Sequence, residues 1–309
     1  MPVSARVTDW IVLAVMGTAV VVGLPGDACA AGLPATGRLT ADGVLKFSPV
    51  FINEGRTLVF SAHSEPSRVS IVEFDLVTGK QKSHYPPGSD AQFDIAFSPD
   101  RSLECFSRSG GPRQLSLVIR NPKTSKDIVF HPPGTLRSTI RTPRFLPDGK
   151  RIVMTMNSPG GQQIVSISVQ GTDVKKLTAS NGLNAWPAVS PDGKTIVFSS
   201  SRRGDLDLWL MDSDGNNQRR LLASPRRDIY PSWSPDGSRI AFTSSRDGNQ
   251  EVYIVDRDGE NLVRVTRHPE RDTYPVWHPD GKRLLTISER RGRFDFYLWD
   301  VAVPRSASN

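Results

Sequence analysis

Apolar and polar residues alternate along the chain in short stretches that glycine, proline and aspartate punctuate at regular intervals. RIAFTSS at 239–245, EVYIVD at 251–256 and DFYLWD at 295–300 place an apolar side chain at every second position, the period of a half-buried strand and not of a helix. Pro-Asp-Gly recurs just before many of these stretches: FLPDGKRIVM at 145–154, AVSPDGKTIVF at 188–198, SWSPDGSRIAF at 232–242 and VWHPDGKRLLT at 276–286. Proline presets one turn dihedral, the aspartate side chain caps the turn and glycine takes the positive φ, so each copy reads as strand, tight turn, strand. Two degenerate copies complete the series. FSPDRSLECF at 97–106 has Arg101 for glycine, and PVFINEGRTLVF at 49–60 has Asn53-Glu54-Gly55 for Pro-Asp-Gly.

Taking the acidic turn residue as marker gives Glu54, Asp100, Asp148, Asp192, Asp236 and Asp280, spaced by 46, 48, 44, 44 and 44 residues. Within a copy a third strand follows (LDLWLMD at 206–212, for example), then an Asp-Gly turn and a short fourth strand such as KKLT at 175–178 or VRVT at 263–266. Four strands per period of about 44 residues predict an all-β, six-bladed β-propeller of four-stranded antiparallel blades. The last copy runs out after its third strand. Leu39 stands fourteen residues before Asn53, the offset of Leu177, Leu221 and Val265 from their own turn prolines. The N-terminal strand at 36–40 is therefore expected to complete the last blade and close the ring, leaving no open edge.

Ahead of this strand, Arg6, an apolar run of fourteen residues at 11–24, the breaker pair Pro25-Gly26 and Ala28-Cys29-Ala30 read as a secretory signal peptide cut after Ala30. The run is shorter than the roughly 20 residues that span a bilayer, so no stable membrane insertion is expected after cleavage. The expected layout is a signal peptide at 1–30, one propeller at 31–303 and a short tail at 304–309, in a periplasmic or secreted protein. Cleavage leaves Cys105 as the sole cysteine, which excludes an intrachain disulfide and suits a buried small hydrophobe. It also leaves 38 basic and 30 acidic residues, a net charge of +8, which fits an anionic partner.

The runs AWPAVSPDGKTIVFSSSRRGDLDLWLMDSDG, IYPSWSPDGSRIAFTSSRDGNQEVYIVDRDG and TYPVWHPDGKRLL resemble the repeats of TolB-type propellers, down to the Ser-Arg turn at Ser201-Arg202 and Ser245-Arg246. The resemblance implies export, a closed ring and the binding of a protein or envelope component through one face. TolB propellers follow a separate α/β domain. About five residues separate the expected cleavage site from the first strand, so no such domain is expected here. Related repeats also occur as gating domains of prolyl-oligopeptidase-type enzymes and in oligogalacturonate lyases.

Lys46, Gln92, Ile140, Asn184, Asp228 and Asp272 lie seven positions before the turn proline or its equivalent and are expected near the channel mouth, on the face of the strand 4–1 and 2–3 turns. Trp186, Tyr230 and Tyr274 follow two positions later, with Arg202, Arg227, Arg246 and Arg271 around them. The set reads as an aromatic and cationic rim for an envelope protein or lipoprotein with an acidic surface, or for an anionic glycan. The simpler alternative is that the aspartates cap strands, the aromatics pack between blades and the arginines pair locally. Two carboxylates, Asp228 and Asp272, leave calcium open as a channel ligand. The histidines are scattered, which speaks against zinc, and neither a G-x-S-x-G elbow nor a phosphate-binding glycine loop occurs. Nucleic acid is not expected of an exported protein. The leading expectation is a binding module without catalysis or cofactor; the rival is a lyase-like enzyme acting on anionic polysaccharide through the same arginines, with a Tyr, His or Lys base.

Overall fold

The computed structural model describes residues 36–301 except 66–67, 87, 89, 111–113 and 134–138, all within the compact unit Leu33–Asn309. The expected signal peptide at 1–30 and the tail at 304–309 lie outside the described residues. Among the described residues there are 24 strands and one short 3₁₀ turn, Asn53–Gly55, and no helix long and apolar enough to cross a membrane.

The strands form antiparallel meanders in chain order. Three separate four-stranded sheets occupy residues 46–83, 92–130 and 228–264. Two further meanders, 140–176 and 182–222, are joined into one eight-stranded sheet by a short parallel pairing, Gly161 to Gly182 and Gln162 to Leu183. The last sheet is built from Asp272–Trp277, Arg283–Arg290 and Arg293–Asp300, with Gly37–Arg38 as its fourth strand. The architecture is an all-β propeller of antiparallel four-stranded blades. Where separate sheets were expected at 140–176 and 182–222, a close approach at Gly161 fuses them: a Cβ there would sit 2.0 Å from the Gly182 carbonyl oxygen.

The turns follow the chemistry of their residues. Ser190 Oγ donates to Asp192 at 2.5 Å and accepts from the Thr195 N–H at 3.0 Å, and Ser234 does the same with Asp236 and Arg239. Gly193 and Gly237 take φ of 70°, and in the degenerate copy Arg101 is held at φ 60°. The first copy departs further, with Asn53, Glu54 and Gly55 all at positive φ. Gly55 is abutted by the ring of His278, the residue that replaces serine in the last turn, so a Cβ at position 55 would overlap the imidazole. The His278 ring also meets Phe51 edge-on at 4.9 Å, joining the first and last sheets.

Closure of the last sheet reuses a device found elsewhere in the chain. Thr178 Oγ1 donates to Gln163 at 2.7 Å and accepts the Ile164 N–H at 2.9 Å; Thr266 makes the same pair of bonds with Glu251 and the Val252 N–H. In the last sheet Thr40 donates to Asp295 at 2.9 Å and accepts the Phe296 N–H at 3.0 Å. Arg38 adds a 2.7 Å ion pair to Asp295, and Leu39 donates its N–H to the Phe296 carbonyl at 2.8 Å. The core lies between sheets, as in the cluster of Phe51, Leu58, Phe60, Leu285, Phe296 and Leu298 that joins first to last. Cys105 is wholly buried, and burial pushes its thiol pKa well above the ordinary range, so it acts as a small apolar residue.

Thr40→Val, which leaves a buried N–H and a buried carboxylate oxygen short of a partner, is expected to destabilise the protein by about 1–3 kcal/mol, as is Thr266→Val. Deleting residues 36–40 should lower the melting temperature far more. An unchanged melting curve for that deletion would show that the N-terminal strand does not secure the closure.

Candidate functional site

Each inner strand carries the same irregularity. Its pairing with the second strand shifts register once, between Phe47 and Val50, Phe93 and Ala96, Arg141 and Arg144, Ala185 and Ala188, Ile229 and Ser232, and Thr273 and Val276. Inside each shift lies a non-glycine residue in the left-handed region: Ser48, Asp94, Thr142, Trp186, Tyr230 and Tyr274, with φ from 51° to 56°. For residues of this bulk such a conformation costs about 1 kcal/mol or more, and bulges of this kind turn a side chain away from the ladder. Proline follows in five of the six copies. It fixes its own φ and offers no N–H, which suits the point where ladder pairing is already interrupted.

Contacts link neighbouring members of this series in two groups. Tyr230 and Tyr274 stack with ring centroids 3.8 Å apart, and Trp186 meets Tyr230 edge-on at 4.9 Å. On the other half, Ser48 Oγ donates to Asp94 Oδ1 at 2.5 Å, the Thr142 N–H donates to Asp94 Oδ2 at 3.0 Å, and Arg141 makes an ion pair with the same carboxylate. Asp94 is fully buried, yet Arg141 together with Ser48 and the Thr142 N–H overcomes the opposing effect of burial and holds its pKa below the usual carboxylate value. Burial, with Tyr230 and Asp94 adding to it, pushes the Tyr274 hydroxyl well above its ordinary pKa, so this phenol keeps its proton at neutral pH.

Beyond this ring a cavity of about 400 Å³ opens toward the strand 1–2 turns. Its walls are prolines from the bulges (Pro187, Pro231, Pro275) and from the turns (Pro191, Pro235, Pro279), with Trp233 and Trp277 between them. Among the described residues, Arg144 is the one charged residue in its lining, which contains no His, Lys, Asp or Glu.

The residues expected from the sequence to form a rim lie toward the opposite end. Asn184, Asp228 and Asp272 are fully buried and do not line an open mouth. Each is bridged at 2.9 Å by an arginine of its own sheet: Arg202 to Asn184, Arg246 to Asp228 and Arg290 to Asp272. The starting residue of an inner strand and the arginine near the strand 2–3 turn are adjacent in the hairpin, so they bond across it, while Asp228 Oδ1 and Asp272 Oδ2 stay buried without a hydrogen-bond partner. The two carboxylates expected to offer a calcium site are thus already compensated by guanidinium groups. Arg246 and Arg290 each hold one oxygen of their carboxylate, and among the described residues no cluster of three His, Cys, Asp or Glu side chains forms. Arg271 is exposed and pairs with Glu289 at 2.6 Å, and Arg227 is exposed on the same face.

Of the expected set, the structure brings Trp186, Tyr230 and Tyr274 together, pairs Asn184, Asp228, Asp272, Arg202, Arg246 and Arg271 within single sheets and leaves Arg227 exposed. Sequence reasoning missed Asp94, which takes the aromatic position in the second copy, its ion-pair partner Arg141, one residue before Thr142, and Arg144. Aligning the six copies column by column would have exposed both departures.

A β-propeller of antiparallel blades with an aromatic-lined axial cavity is the class that fold and site define. Within it, the repeats match two family profiles: the TolB beta propeller domain over residues 116–229 and the Tricorn protease N-terminal beta propeller domain over residues 205–307. Over these residues the propeller repeats are TolB-like. No curated relative matches it significantly. Among solved structures it is similar to a putative TolB from Agrobacterium tumefaciens (19% identity, TM-score 0.63, covering 76% of this chain and 99% of that one). It is also similar to TolB from Acinetobacter baumannii (20%, 0.66, covering 81% and 65%) and to an oligogalacturonate lyase from Vibrio parahaemolyticus (13%, 0.57, covering 86% and 93%). At these identities the likeness is one of fold.

Burial pushes the Asp228 pKa up to about 6, against the smaller opposing effects of Ser244 and Arg246. An unfolded aspartate titrates near ~3.9, so the folded state binds the proton more tightly and this group's stabilisation is lost as pH rises from about 4 to about 6. Asp228→Asn copies the Asn184–Arg202 arrangement. Relative to wild type it should gain in melting temperature progressively across that interval, and a pH-independent difference between the two curves would contradict the assignment.

Proposed function

We propose that the protein is an exported, non-catalytic binding module of the cell envelope that docks a partner protein over the proline- and tryptophan-walled mouth at the strand 1–2 turn end. In this reading the eight-stranded sheet counts as two blades, giving a ring of six, and the leader at 1–30 directs the chain to the periplasm before cleavage after Ala30. The observation that carries the proposal is the mouth itself, a preformed apolar concavity with a stacked aromatic floor. Surfaces of this kind favour association, because burying aromatic and proline surface against a partner costs little side-chain entropy. The TolB-type repeats support an envelope role. A lyase would need a positioned base beside its cationic groups. Among the described residues the mouth lining contains no His or Lys, and Tyr274 within it holds its proton, which favours binding over catalysis.

Affinity capture from envelope extract tests this with three forms of the mature chain. Wild type should retain a specific protein; Ala188→Trp, which fills the mouth, should lose it; Arg227→Glu with Arg271→Glu, at the opposite end, should keep it. Loss with the double variant and retention with Ala188→Trp would move the site to the basic face. If wild type retains no protein, the proposal fails and anionic glycans with a lyase assay become the next probe. N-terminal sequencing of the protein recovered from the periplasmic fraction should begin at Ala31.

A further inference from the structure

Five of the six copies place a small or aliphatic residue directly before the inner-strand aromatic or its equivalent: Val50, Ala96, Ala188, Ser232 and Val276. The remaining copy has Arg144. This side chain is half-buried and lines both the mouth and an adjoining cavity of about 300 Å³ whose walls include Val50, Phe51, Ile95 and Phe97. Arg141, Arg246 and Arg290 each reach a buried carboxylate, and Arg202 reaches the Asn184 amide oxygen. Arg144 instead donates from Nη1 to the carbonyl of its own neighbour Pro143 at 2.8 Å, and among the described residues no carboxylate lies within ion-pair distance of it. The charge of Asp94 does act on it, but that carboxylate is already held by Arg141, Ser48 and the Thr142 N–H. Burial depresses the Arg144 pKa, the sign of a cation kept partly from water without a counter-charge. Such a group is a standing cost to stability unless something supplies the anion.

We propose that Arg144 is the recognition residue of the mouth and receives a carboxylate from an acidic peptide segment of the docking partner, with the apolar neighbours of that carboxylate seated against the proline and tryptophan walls. The inference rests on the mouth being the docking site, as proposed above, and adds the chemistry it selects. A planar guanidinium with free N–H groups accepts a carboxylate in bidentate fashion, and the low-polarity walls strengthen that contact. A peptide suits this lining better than a sugar, whose many hydroxyl groups would face proline rings and lose their hydrogen bonds on burial.

The test is selection from a random-peptide display library on the immobilised mature chain, followed by calorimetric titration of the selected peptides as synthetic probes. The proposal expects peptides that carry Asp or Glu beside proline or aromatic residues, lose affinity about tenfold or more on Arg144→Ala or on acid-to-amide replacement in the peptide, and fail to bind Ala188→Trp. Arg144→Ala installs the residue found at Ala96 and Ala188, so its melting temperature should be equal to or above that of wild type. A fall would mark Arg144 as structural and overturn the proposal. Peptides that bind wild type but not Ala188→Trp, yet show no acidic preference and no response to Arg144→Ala, would refute the role of Arg144 while leaving the mouth as the docking site. The absence of any peptide sensitive to Ala188→Trp, or Arg144-dependent binding of a trigalacturonate probe in place of peptides, would overturn both.

Discussion

The fold depends on how a buried polar side chain on the third strand is satisfied. Gln163, Glu251 and Asp295 are each almost wholly out of water, and each accepts a hydrogen bond from a threonine two residues beyond a fourth strand, Thr178, Thr266 and Thr40 respectively. In the first two pairs the partner lies about fifteen residues away in the same hairpin. In the third it lies at the other end of the described chain, so a local hydrogen bond becomes the tie that closes the structure. A carboxylate this deeply buried cannot be left without donors. Thr40, Arg38 and the Gly43 N–H all converge on Asp295, which gives the closing strand its register as well as its attachment.

Closure fixes where the inner strands stand, and the bulges decide what they display. In the three later copies the left-handed position holds an aromatic residue; in the three earlier ones it holds serine, aspartate and threonine. The axial ring is therefore divided into a stacked aromatic half and a hydrogen-bonded polar half centred on Asp94. The prolines that follow the bulges can donate no hydrogen bond, so the wall above the ring is apolar for a backbone reason as much as a side-chain one. Arg144 interrupts that wall. A residue that stability alone would not select at this position, amid Val, Ala and Ser in the equivalent columns, is the place where stability and recognition pull in different directions.

The repeat, the turn chemistry and the N-terminal closing strand were legible because each rests on local rules: period-2 alternation, Pro-Asp-Gly geometry and a constant offset from strand to turn. Leu39 could be matched to Leu177 and Val265 by counting, and the structure pairs its strand with Arg293–Asp300. The grouping of Trp186, Tyr230 and Tyr274 was also legible, since equal positions in a repeat meet around an axis.

That the proline- and tryptophan-walled cavity opens at the strand 1–2 turns could not be read from the sequence. Asp228 and Arg246 look like a free carboxylate and a free guanidinium eighteen residues apart until the hairpin brings them to 2.9 Å, with the carboxylate fully buried. The fusion of two meanders at Gly161 and Gly182 likewise depends on backbone approach between neighbouring sheets. The sequence by itself determined the repeat, the class of fold and the closing strand, because short-range periodicity and turn geometry dictate them. Only the tertiary structure decided which charges are spent and which one, Arg144, is left unpaired at the mouth, because ion pairing and burial are properties of chain segments brought together from a distance.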